Sequence, residues 1–240
     1  MRRGDFTDPA TLSEAFESAS QVLIVSSNET SMAAVTQNVA AIDAARAAGA
    51  DRILYTSHQG AAPESLFAPM PDHAATEQHL RETGTAHTSL RNGYYANTVP
   101  LLLGQALTTG EIVAPADGPV SWTTHADLAE AAGIILAAPG RFEGPTPPLT
   151  AAEALDLNDI AGLLSELTGR TIRRTVVEDD DFAAGLLARG VPEGRANMLL
   201  GMLLASRRGE FATTGHTLEE LLGRPATSLR SCLGDLVAAR

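Results

Sequence analysis

The chain has no lysine: all 17 of its basic residues are arginine. A mechanism that needs a lysine ammonium or a lysine Schiff base is therefore excluded. Arginine cannot replace it as a proton donor, because its pKa stays above about 12. A second cysteine is also missing. Cys232 stands alone, so no internal disulfide can form, which fits a reducing compartment. It falls in an apparent C-terminal helix, where a small core residue is the expected role. No run of about 18 apolar residues occurs, so no membrane span is expected. The opening Met1-Arg2-Arg3-Gly4-Asp5 has no apolar segment behind it, so no signal peptide is expected, and the cytoplasm is the expected location. Positive charge is scarce: the net charge is -12. A nucleic-acid partner calls for a basic patch, so none is expected. The acidity reads as solubility, and no metal-ligand set stands out.

What is present is a full core's worth of apolar residues, 44% of a 240-residue chain. That is enough for one large domain, or for a domain with a small lobe. Three short apolar runs end in polar tips. Gln21 to Val25 ends in Ser26-Ser27-Asn28, Ile53 to Tyr55 in Thr56-Ser57-His58, and Thr88 to Arg91 in Asn92-Gly93-Tyr94-Tyr95. Ligands of open parallel α/β sheets sit beyond such carboxyl ends. Val22 to Val25 is unbroken by any polar residue, which predicts a central strand covered on both faces.

Helical segments separate the runs. Asp8-Pro9 predicts a helix start with Asp8 as N-cap. A helix over 31–48 carries Val35, Val39 and Ile42 as its stripe, with Gly49 as its stop. Another is predicted over 72–83, ending at Gly84. This order predicts an α/β fold with parallel pairing. The Pro- and Gly-rich stretch 139–150 predicts a boundary, giving a first domain over 1–138 and a smaller lobe over 139–240 that is allowed to interleave with it. In the lobe, Ile160, Leu163, Leu164 and Leu167 form a helical stripe. Strands are predicted at 111–113 and 171–177, with helices at 179–188 and 192–206. Thr217-Leu218-Glu219-Glu220 matches a capping box.

Several motifs recur in a fixed order: Gly4-Asp5-Phe6 with Asp8-Pro9, Tyr55-Thr56-Ser57-His58, His73 with Thr76-Glu77, Leu90 to Tyr95, Asp127-Leu128-Ala129, and Leu222 to Ser228. Together they resemble the NmrA-like branch of atypical short-chain dehydrogenases/reductases, most of all its bacterial NAD(P)H:quinone oxidoreductase type. The resemblance implies a Rossmann-like doubly wound parallel sheet, a small, mostly helical C-terminal lobe and a substrate cleft between them. The implied cofactor is NAD(P)H, with NADPH preferred, and the implied substrate is a quinone-like small molecule. Two rivals stand beside that reading: a dinucleotide-sensing regulator without turnover, and a relative that no longer binds cofactor.

One family feature is missing. The family opens with a strand, a Gly-x-x-Gly-x-x-Gly loop and a helix, which let backbone N–H groups approach a pyrophosphate. No such motif occurs here, so an N-terminally truncated sheet is expected, with Gln21–Val25 left as an edge. An exposed apolar edge invites association, so a homo-oligomer covering it is one expectation. The resemblance assigns Asp5 near the adenine, and Ser26, Ser27 and Asn28 to the ribose side; the serines also suit a helix N-cap cluster. Thr56, Ser57 and His58 fall at the active strand end. His73 takes the place of the family's lysine or histidine, and Asn92, Gly93, Tyr94 and Tyr95 flank the nicotinamide. His73, Tyr94 and Ser57 are the candidate catalytic groups. Glu77 lies one helical turn from His73, and a carboxylate there predicts an imidazolium. The tyrosines could orient a quinone oxygen or merely wall the cleft.

Overall fold

The computed structural model describes residues 2–27, 29–30 and 32–239. In chain order its elements are α1 (Ala10–Phe16), β1 (Gln21–Ile24), α2 (Met32–Ala47), β2 (Arg52–His58), α3 (Pro69–Thr83) and β3 (Ala86–Asn92). There follow α4 (Val99–Leu103), α5 (Ala106–Thr109), β4 (Glu111–Ala114), α6 (His125–Ala137) and β5 (Gly144–Pro145). The chain closes with α7 (Leu157–Thr168), β6 (Arg173–Val176), α8 (Asp179–Ala188), α9 (Glu193–Arg207), α10 (Thr217–Leu222) and α11 (Leu229–Ala238).

These elements form two compact units, one over 1–92 and 130–149, the other over 93–129 and 150–240. The last crossing falls at the end of the Pro- and Gly-rich stretch. The units interleave, however, and residues 93–129, expected with the first domain, belong to the second. The reason is pairing: β4 finds its partner in β6, some 60 residues later, rather than in the first sheet.

The first unit is built on a parallel sheet in the order β1-β2-β3-β5. Ile53, Leu54 and Tyr55 of β2 are wholly buried, as its apolar run requires of a central strand. Among the described residues β1 pairs with β2 alone and lies at the edge. Its burial alternates, with Val22 and Ile24 inward, so the central-strand reading of its composition is corrected, while the edge position expected from the missing glycine-rich unit is the one observed. Four apolar residues describe a strand's composition; its neighbours are a property of the sheet.

The apolar face of α2 also differs from expectation. Ala34, Asn38, Ala41, Ile42 and Ala45 are buried, while Val35 and Val39 are only partly so. Alanines let the helix lie close to the sheet, and the polar Asn38 is accepted because both ends of its amide are hydrogen-bonded. Ile42, Ala45, Val22, Ile24, Ile53 and Leu80 join in one core cluster. Arg52 is buried as well. It donates to the Phe142 carbonyl at 2.6 Å and to Glu143 at 3.3 Å, tying the β5 approach to the sheet.

In the second unit β4 and β6 pair in parallel. Buried Arg174 donates to the Ala114 carbonyl at 2.6 Å and lies 3.4 Å from Asp117. Two of the motif segments meet at Asp127, which is 1% exposed. Its carboxylate accepts the Thr227 N–H and the Thr124 hydroxyl, each at 2.8 Å, and pairs with Arg224 at 2.9 Å. Burial alone would raise its pKa, but these hydrogen bonds outweigh it and hold the carboxyl below its usual range.

Two expected caps move. Asp8 does not cap α1 with its side chain; Pro9 occupies the N-cap position. His216, not Thr217, precedes α10, and no side chain caps it. A true capping box sits at α7, where Asp156 accepts the N–H groups of Asn158 and Asp159 at 2.8 and 2.9 Å, and Asp159 accepts that of Asp156 at 3.0 Å. Replacing Asp156 by alanine should cost about 1 kcal/mol. A thermal melt should show this as a shift of roughly 2–4 °C.

Candidate functional site

The tips of β1, β2 and β3 bring the sequence-assigned residues of the first unit together. Parallel register sets Ile24 beside Tyr55, Ser57 beside Arg91 and His58 beside Asn92. The Ser26 N–H donates to Thr56 Oγ1 at 2.8 Å, and Thr56 in turn donates to Ser26 Oγ at 3.2 Å. Ser27 donates through its N–H to Asn38 Oδ1 at 3.0 Å. Its hydroxyl meets Gln37, so it bonds to α2 side chains. Asn28 lies outside the described residues. Asp5 lies on an exposed turn, where its carboxylate accepts the Thr7 N–H and hydroxyl, which lower its pKa.

Asn38 continues inward. Its Nδ2 donates to the Tyr55 hydroxyl at 3.3 Å, and that hydroxyl lies 2.7 Å from His73 Nδ1. The His58 ring faces His73 at 6.3 Å between centroids and Phe67 at 6.2 Å. Burial is the main cause that takes both imidazoles down, His58 to about 3 and His73 to about 4. The expected imidazolium at His73 is thereby corrected. Glu77 does favour the charged ring, but weakly.

The reason is that Glu77 faces another partner. Its Oε1 accepts from Arg91 Nε at 3.1 Å and its Oε2 from Arg91 Nη2 at 2.8 Å, a two-point clamp. Oε1 also accepts the Ser57 hydroxyl at 2.7 Å. Ser57 is buried with its proton committed to that carboxylate, so only its lone pairs remain to offer. Asn92 is buried at the tip of β3, where its carbonyl accepts the Gln59 N–H at 2.8 Å. Its side-chain Oδ1 has no hydrogen-bond partner among the described residues.

Gly93, Tyr94 and Tyr95 belong to the second unit. Tyr94 is 7% exposed, and its ring packs at 5.6 Å from Trp122 and 4.9 Å from Phe211. Burial raises its phenol pKa against a hydrogen bond with Thr98, which makes it a poor acid. Tyr95 lies at 4.2 Å from the His125 ring, and its backbone bridges to Thr123. Sequence reasoning missed Asn38 and the anchoring role of Tyr55. A signal existed: an asparagine set among the alanines of a helix face implies a buried partner. Among the described residues no cluster of histidine, cysteine or carboxylate side chains could hold a metal.

The NmrA-like family matches residues 1–231. The chain belongs to that family. It is 32% identical over 239 residues to quinone oxidoreductase 2 of Escherichia coli, covering 98% of this chain and 82% of that protein. The crystal structure of an NADPH-dependent quinone oxidoreductase from Escherichia coli, complexed with NADPH, superimposes with a TM-score of 0.90 at 31% identity, covering 98% of this chain and 83% of that one. The triphenylmethane reductase of Citrobacter sp., complexed with NADP(H), gives 0.88 at 30% identity, covering 98% and 82%. The parallel sheet flanked by helices is the Rossmann-like architecture expected of the family.

Proposed function

We propose that this protein is an NAD(P)H-dependent oxidoreductase that reduces a quinone-like acceptor, with NADPH the favoured cofactor. The observation that carries the reading is the paired tip of β2 and β3. There Asn92 holds a buried Oδ1 that has no hydrogen-bond partner among the described residues, in register with His58, whose ring lies 6.3 Å from that of His73. Likeness over nearly the whole chain to reductases solved with NADPH supports it.

The residues fit one half of such a cofactor. Ser26, Thr56 and Asn92 offer hydroxyls and an amide oxygen suited to a ribose and a carboxamide. The phosphate half has no glycine-rich loop in this sequence. Gly4 does not supply it: a Cβ there would lie 2.9 Å from the Ala15 Cβ, so its smallness serves packing on α1. A bound NAD(P)H would supply the hydride. The chain's part is to position the acceptor and keep the site dry. Reduction of a quinone to the hydroquinone takes one hydride and one proton. Burial lowers the pKa of His73 and His58, so neither is an imidazolium acid at pH 7. That apparatus suits an acceptor as electrophilic as a quinone. The single cysteine and acidic charge agree with action in a reducing cytoplasm, and a second copy would cover the open β1 edge, where Val25 is 64% exposed.

The test is direct. Millimolar NADPH should raise the melting temperature, and addition of a simple benzoquinone should speed NADPH oxidation at least tenfold over the uncatalysed rate. Binding without turnover would favour the regulatory alternative; neither binding nor turnover would overturn the proposal.

A further inference from the structure

The last helix, α11, carries Leu229, Leu233 and Leu236 as one stripe at helical spacing. The stripe does not close on its neighbours. Between it and Val99 and Pro100, at the start of α4, lies a cavity of about 490 Å³ that opens to solvent. Every residue that lines it belongs to the second unit. Val99, Leu229 and Leu233 are at most 4% exposed, so the core holds these walls in place. Protein interiors leave few voids larger than a water molecule, and an apolar hollow of this size is a standing departure from that packing. Cavities of about 300–1,000 Å³ with apolar walls and a few polar groups are the usual sites of small-molecule ligands.

The lining also says what would fit. His125 forms part of it, with its ring 4.2 Å from that of Tyr95, so one wall offers a π face to a flat ring. No arginine lines the cavity, and Asp235 is its one carboxylate. Asp235 is exposed, and no hydrogen bond or ion pair meets its carboxylate among the described residues. Cys232, one helical turn away, has its thiol pKa raised by burial first and by Asp235 second, so it stays protonated and serves as neutral wall. We propose that the cavity binds a planar aromatic cation, its rings against the α11 leucines and His125 and its charge at the Asp235 carboxylate. A neutral or anionic ring of the same shape would leave that carboxylate without a counter-charge. The site stands without the oxidoreductase reading, because it uses no residue of the strand tips.

The test is a fluorescence-polarisation titration of the full-length protein at pH 7.5. The probes are proflavine, a three-ring cation, and 9-anthracenecarboxylate, a three-ring anion of similar size. Proflavine should bind saturably at one site, about tenfold or more tighter than the anion. Asp235→Asn should weaken proflavine about fivefold, the size of one exposed ion pair, and leave the anion bound no more weakly. Asp180→Asn removes the same charge from the exposed first turn of α8, which does not line the cavity, and should change neither affinity. Leu236→Trp should fill the cavity and abolish saturable binding, with a melting curve to show that the variant is folded; should it not fold, the two asparagine variants decide. Absence of saturable binding, equal affinity for the two probes, or binding that survives a folded Leu236→Trp would overturn the proposal. Equal losses in the Asp235 and Asp180 variants would overturn it too, since the dye would then be collecting on the acidic surface at large.

Discussion

Replacing Glu77 by alanine should destabilise the protein by about 3 kcal/mol, at the lower end of what breaking a buried ion pair costs. Glu77 is 2% exposed, whereas its partner Arg91 keeps 30% of its side chain accessible and can turn partly to water. That asymmetry sets the magnitude. The stranded group is a half-solvated guanidinium, not a fully buried one. Two further losses add to it. The Ser57 hydroxyl loses its acceptor in the interior, and the α3–β3 tie made by the two-point clamp disappears. For a chain of this length the melting temperature should fall by roughly 6–12 °C. Glu77→Gln keeps an acceptor for Ser57 but loses the charge, and should fall between the wild type and the alanine variant. Denaturant titrations of the three proteins check this. An alanine variant within about 1 kcal/mol of wild type would mean that the pair contributes no more than a surface contact.

Acid should weaken the fold well above the range where carboxylates titrate. His58 and His73 have folded-state values near 3 and 4, below the ordinary 6.5 of an exposed imidazole. In the unfolded chain both take up protons as the pH falls through 6.5; in the folded protein neither does until about 4. The unfolded state then binds more protons, so stability is complete above pH 6.5 and is lost as the pH drops from there toward 4. One to two protons correspond to a slope of about 1.4–2.7 kcal/mol per pH unit. The lower figure applies if the accessible edge of His73 admits water. Urea unfolding at pH 7.5, 6.0 and 5.0 measures the slope. A flat profile across that interval would show that the imidazoles are solvated in the folded state. Asp127 acts in a lower window: its depressed carboxyl contributes stability that is lost only as the pH falls below the ordinary carboxylate range.

Much of this was legible in the chain itself. β2 and β3 follow from short apolar runs closed by polar tips, and Gly84 and Gly169 end their helices in the left-handed conformation that favours glycine. Leu157–Thr168 follows from its apolar stripe. The edge place of β1 followed from the missing glycine-rich unit and not from its own residues, whose apolar run pointed to a central strand, because a strand's sequence reports its burial and not the identity of its neighbours. The charge of His73 was misread chiefly because its burial is not visible in the spacing, and the partner of Glu77 was missed as well. Spacing along α3 puts Glu77 near His73, but Arg91, fourteen residues further on, reaches the carboxylate from the neighbouring strand. Local spacing cannot register a competitor that arrives through tertiary structure. Asn38 shows the converse. Its helix position made it findable, yet its partners come from beyond the end of β1, at Ser27, and from the middle of β2, at Tyr55.

The position of Arg52 has a consequence during synthesis. Its guanidinium is buried against the Phe142 carbonyl, ninety residues further along the chain. At a translation rate of roughly 5–20 residues per second, about 5–20 s pass after Arg52 is made before that carbonyl exists. Through that interval the Thr88 hydroxyl can meet the Arg52 guanidinium, but Phe142 and Glu143 cannot, and β5 is not there to pair with β3. A chain released short of residue 142 would lack both the Phe142 carbonyl and β5, and could not complete this sheet.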